Sequence, residues 1–124
     1  MPDADLTRSE TGDKAVQARF DAREVPRNRY RLPADYRTFA IAVCLVRMQP
    51  EATVQLLHTR PGSDGENKIE RTIVGRARVC VGDAREVSFD AIRLRFYLID
   101  ALYRWIVAAR GVDTLIGDEP MNPR

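Results

Sequence analysis

Lysine is nearly missing from this chain: 18 of its 20 basic residues are arginine, leaving only Lys14 and Lys68. Guanidinium forks suit carboxylate and phosphate groups better than an ammonium does, although a codon bias in a GC-rich genome produces the same excess. Histidine is scarcer still, with His58 alone, so any nucleophile–histidine–acid arrangement has to pass through that one side chain. No apolar run approaches the ~20 residues that cross a bilayer as a helix. The opening MPDADLTRSETGDKA has neither the basic end nor the apolar core of a secretory signal. Cytoplasmic residence is therefore expected. The two cysteines, Cys44 and Cys80, lack CxxC spacing, which argues against a zinc site and predicts buried thiols acting as small hydrophobes. PGSDG at Pro61–Gly65 lacks the spacing of a phosphate-binding loop. No cofactor or metal is expected, and a net charge of +2 is too small to imply a polyanionic partner.

What is present is enough apolar material for one core, at 44% of 124 residues. It is concentrated in SFDAIRLRFYLIDALYRWIVAAR, Ser88 to Arg110. Phe89, Ile92, Phe96, Ile99, Leu102 or Tyr103, and Ile106 recur at helical spacing and predict the buried stripe of a long helix. Asp90, Arg93, Tyr97, Asp100 and Arg104 fall on a polar strip, and Asp100 and Arg104 are spaced for an ion pair. Leu94, Leu98, Ala101 and Trp105 lie outside both. Ser88 suits the N-cap, and Gly111 suits the left-handed residue that ends a helix.

Upstream, TFAIAVCLVRM (38–48) is apolar on both faces and reads as a covered strand. TVQLLHTR (53–60) reads as its antiparallel neighbour, because so short a connection cannot carry a crossover. KIERTIVGRARVCV (68–81) reads as a third strand, or as two with a break at Gly75. The expected fold class is α+β: an antiparallel sheet of three to four strands packed against one long C-terminal helix. Residues 1–37 are expected to be a flexible or arm-like segment, mobile over the first 18 or so. Residues 38–116 should form a single domain, with 117–124 a disordered tail.

The order of a strand, a second strand ending at Arg60-Pro61, a loop with Asp64-Gly65, further strands with Gly75, and Phe89-Asp90-Ala91 opening an aliphatic helix resembles a family of small bacterial domains of unknown function. The resemblance covers 38–110. It implies the same sheet-and-helix fold and brings no activity with it.

Few residues carry chemistry. His58, on the expected face with Val54 and Leu56, reads as a structural histidine. Asp64, Glu66 and Glu70 lie close in sequence but lack the ligand order of a calcium loop, and read as a solvated turn. Paired carboxylates for acid–base work would have to be brought together in space. Arg95 points into the apolar arc of the helix and needs a carboxylate partner, because an unpaired buried guanidinium is costly. Arg76 and Arg78 fall on one face of the expected strand. The candidate interaction surface is therefore Arg76, Arg78, Arg95 and His58. The expected function is a non-enzymatic protein–protein interaction module, such as an adaptor, inhibitor or immunity-type protein. Its partner would be another protein or a second copy. A nucleic-acid module using an Arg-rich arm is the alternative, and a small enzyme whose site is invisible in the sequence is the third.

Overall fold

A computed structural model describes residues 5–82 and 91–112, with side chains of the last helix from Arg93 onward. The elements are α1 (Arg8–Thr11), α2 (Lys14–Asn28), α3 (Pro33–Met48), α4 (Pro50–Leu57), α5 (Asp64–Arg76), α6 (Arg78–Val81) and α7 (Ala91–Arg110). Among the described residues there is no strand, so the α+β expectation is corrected to an all-α fold. The first expected strand lies in α3, the second in α4 and its C-cap, and the third in α5 and α6.

The local reason is visible at the helix starts. Pro33 and Pro50 each occupy the first turn of a helix, where the missing N–H costs nothing and the fixed φ suits the helix. Pro50, which lies between the first two expected strands, restarts a helix after the single residue Gln49. An apolar run such as TFAIAVCLVRM satisfies helical and strand periods equally. Its buried positions, Phe39, Ala42, Leu45 and Val46, follow the helical one. In the third stretch the break falls at Ala77 (φ −127, ψ 42), between α5 and α6, rather than at Gly75.

The long helix is where the sequence placed it, although Ser88 and Phe89 lie outside the described residues. Its buried face is different. Leu94, Leu98, Ala101, Leu102, Trp105 and Ile106 are buried, whereas Phe96 is 68% exposed and Ile99 only half-buried. The stripe expected to face the core is thus rotated, and the residues assigned to neither face form its centre. Asp100 and Arg104 do pair, at 3.2 Å.

Helix α3 packs along α7, with α2 on one flank and the α4–α5 pair on the other. The ring of Phe20 on α2 stacks on Trp105, with centroids 4.2 Å apart. Trp105 Nε1 donates to the Val43 carbonyl of α3 at 3.2 Å. The segment expected to be an arm is therefore part of the core, with Leu6, Val16 and Phe20 all buried. Helix α1 is held by a reciprocal Thr7–Glu10 capping box, and α2 by Asp13 accepting from Ala15 and Val16.

The far end of α7 is closed twice over. Gly111 adopts φ +67, its N–H reaches Ala108 O at 3.3 Å, and Val112 N–H reaches Val107 O at 3.1 Å. This is the paired-bond ending that favours glycine. From α2, Arg19 Nε donates to Ala108 O at 2.8 Å, and Arg23 donates to Val112 O. Both guanidiniums lie at the negative end of the helix dipole.

Cys44 on α3 and Cys80 on α6 form a disulfide, with Cα atoms 5.5 Å apart. This corrects the expectation of buried free thiols. Helix α6 buries no residue fully, so the covalent link supplies what its packing does not. The tail 117–124 lies outside the described residues. Among the described residues no helix is long and apolar enough to cross a membrane.

Two measurements check this packing. Leu98→Ala should cost about 2–5 kcal/mol in urea unfolding, while Phe96→Ala should stay within about 0.5 kcal/mol; equal losses would restore the other stripe. Opening the disulfide, which closes a 36-residue separation, should remove up to about 4 kcal/mol on the loop-entropy model. The comparison is unfolding with and without reductant.

Candidate functional site

Ser63 starts α5 by accepting from Glu66 N–H at 3.1 Å. That placement carries Glu66 inward, where it is fully buried. Its Oε1 accepts from the Gly62 N–H at 2.9 Å, and its Oε2 lies 3.0 Å from Arg95 NH1. Arg95 also donates to Thr59 Oγ1 at 2.9 Å and to the Thr59 carbonyl at 3.0 Å. One side chain of α7 therefore holds the whole turn between α4 and α5. The carboxylate that Arg95 required is Glu66.

One helical turn after Glu66 comes Glu70, only 5% exposed. Its Oε2 is buried with no hydrogen-bond partner among the described residues, an unusual condition for a polar atom in a folded chain. Burial first, and then the negative charge of Glu66, push its carboxyl up from 4.5 to about 7, against the opposing pull of Arg95. Of the two carboxyls on one face of α5, Glu66 is matched by a guanidinium and Glu70 is not. A carboxyl raised to about 7 can hold and release a proton at neutral pH. Of the three acids expected in a solvated turn, Asp64 is exposed, whereas Glu66 and Glu70 are buried. The overlooked signal was the spacing Ser63-x-x-Glu66 ahead of Ile69 and Ile73.

Glu70 lines a groove of about 520 Å³ between α5 and α7, together with Asn67, Arg71, Val74, Arg78 and Leu94. Val74 and Leu94 give it an apolar wall, while Arg71 and Arg78 are exposed at it. Arg76 faces a different groove, lined by Gln49, Glu51, Lys68 and Thr72. The two arginines expected to share a strand face are thus separated by the break at Ala77. His58 caps α4 and is exposed. Of the four residues expected to form one surface, only Arg78 and Arg95 lie near the carboxyl pair, Arg78 along the groove and Arg95 beneath it.

A third buried carboxyl group has a structural role. Glu24 lies within 3.3 Å of Arg27, 3.4 Å of Arg104 and 3.8 Å of Arg31. The Arg31 guanidinium sits 3.9 Å above the Phe39 ring. This knot ties α2 to α3 and α7, and its carboxylate is fully matched. Among the described residues no group of His, Cys, Asp and Glu could hold a metal ion.

No protein-family model matches this chain, and no curated protein or solved structure matches it either. The strand order that carried the family resemblance is absent from the described residues.

The titration of Glu70 has a defined sign. A carboxyl raised to about 7 from 4.5 favours the folded state fully below its unfolded pKa. That stability is lost as pH rises through about 7. Glu70→Gln, which removes the ionisation, should therefore stabilise the protein at about pH 8 by up to roughly 3 kcal/mol, with much less effect at about pH 5. Urea midpoints at the two pH values measure it; an equal effect at both would mean that Glu70 is not the strained group.

Proposed function

We propose that this protein is a non-enzymatic interaction module whose partner is a protein with an acidic surface. The observation that carries the reading is the corner between α2 and α3. There Val25 is 61% exposed, Tyr30 81% and Leu32 70%, with Tyr36 also exposed. Large apolar and aromatic side chains left in water, interleaved with arginine, are the residue types that dominate binding energy at protein interfaces. Arg27, Arg29 and Arg37 are exposed over the same stretch, while Asp35 is its one exposed acid. The Arg29 guanidinium lies 5.4 Å from the centre of the Tyr30 ring. This charge pattern favours an acidic surface over a second copy of the same corner. The interaction surface thereby moves from Arg76, Arg78, Arg95 and His58 to residues 25–37. On this reading the module works in an oxidising compartment rather than the cytoplasm suggested by the sequence, because disulfides such as Cys44–Cys80 persist there.

The nucleic-acid alternative draws on the same arginines, but a net charge of +2 weighs against it. Cross-linking in the source organism, with wild type and a Tyr30→Ala/Leu32→Ala variant, separates the readings. An acidic protein captured by the wild type, and reduced at least about tenfold for the folded variant, is expected of a hot spot. Nucleic acid recovered with affinity tighter than about 1 µM near physiological salt would favour the alternative. Equal capture by both proteins would remove the corner from the interface.

A further inference from the structure

The α5–α7 groove holds a combination that the α2–α3 corner does not explain. A buried carboxyl oxygen lacks a partner among the described residues, two guanidiniums line the same groove, and an apolar wall runs between α5 and α7. We propose that this groove binds a small amphipathic carboxylate, its apolar body on Val74 and Leu94, its charge met by Arg71 and Arg78, and one oxygen hydrogen-bonded to the Glu70 carboxyl that lines it. The site lies apart from the proposed protein-binding corner, so either can fail without the other.

Three observations select this ligand class. Neither Arg71 nor Arg78 makes an ion pair among the described residues, so both are available for an anion. Guanidinium forks match carboxylates in geometry. The volume of about 520 Å³ lies within the range of small-molecule sites. A bare Oε2 costs the fold something until a donor or acceptor reaches it. As a hydroxyl, it is a donor that an acceptor would satisfy. An amine would satisfy ionised Glu70 equally well, but it would have to sit beside two unmatched cations.

Binding of this kind is coupled to proton uptake. The charged groups facing Glu70 are Glu66 and Arg71 from its own helix, Arg78 from α6 and Arg95 from α7. Helix α4, also packed on α5, has Glu51 as its only charged residue, and that lines the other groove. With Glu70 titrating at about 7, the neutral form prevails below that pH and the repelling carboxylate above it. An anionic ligand raises the pKa further, and so binds better in acid.

The test uses the whole chain with its disulfide intact, and sodium hexanoate as the probe, ionised at both pH values. Amide chemical shifts are followed at about pH 6 and about pH 8.5, with hexylamine as the control. Shifts should cluster on α5, α6 and α7, with affinity about thirtyfold higher at the lower pH, the ratio of protonated fractions for a group titrating near 7. Glu70→Gln keeps a donor but cannot titrate, so its hexanoate affinity should lose the pH dependence. Arg71→Ala/Arg78→Ala should weaken binding at both pH values. The proposal is overturned by any of three results: no shifts in these helices at millimolar hexanoate, equal wild-type affinity at the two pH values, or tighter binding of hexylamine than of hexanoate. The wild-type comparison decides the matter even if a variant fails to fold.

Discussion

A guanidinium on the inner side of a mostly apolar helix has to find an anion, and the arrangement of this molecule around α5 follows from that need. Arg95 reaches Glu66 at 3.0 Å and takes both oxygens of Thr59 with it. The α4–α5 turn is thereby fixed against α7, and α5 is set with its carboxyl-bearing side inward. Breaking such a pair by removing one partner strands a buried charge, at a cost of about 3–5 kcal/mol. The neighbouring Glu70 inherits an environment already committed to one ion pair. Its burial and the charge of Glu66 outweigh the pull of Arg95, which leaves its own proton as the cheapest way to neutrality.

The parts of this fold legible in the sequence were those with a single physical meaning. Arg95 could be recognised as needing a carboxylate, Gly111 as a helix end, and Asp100–Arg104 as a pair, because each rests on spacing or on one residue's conformational freedom. The extent of α7 was legible for the same reason. Its buried face was not: with roughly two-thirds of the circumference apolar, several stripes fit, and the large aromatic Phe96 drew the assignment away from Leu94, Leu98 and Trp105. The three expected strands failed through a related ambiguity. Short apolar runs carry no decisive period when both faces are covered. The signals against strands lay at the helix starts instead: Pro33 and Pro50 as first-turn residues, and Ser63 as a cap. In α5 the inward positions Glu66 and Glu70 are acids, so the helical spacing was hidden from any reading that follows hydrophobic residues alone.

The disulfide was illegible on different grounds. Two cysteines in separate apolar runs give no spacing signature, and only the packing of α3 against α6 brings their Cα atoms to 5.5 Å. The site shared this property. Its carboxyl pair lies four residues apart on one helix, yet its guanidinium comes from 29 residues further on. The groove needs α6 to break away at Ala77 before Arg78 can reach it.

The arginines of α2 that close the end of α7 also impose an order of events on synthesis. Arg19 and the carbonyl it caps are separated by 89 residues. At a translation rate of about 5–20 residues per second, the first helices leave the ribosome about 5–20 s before their partner exists. During that interval Phe20 and Phe39, which end buried, have no α7 to cover them. The first helices are amphipathic fragments until α7 emerges, and the core cannot close before then. Chaperone dependence would then be set by when α7 arrives rather than by the helical propensity of the segments that precede it.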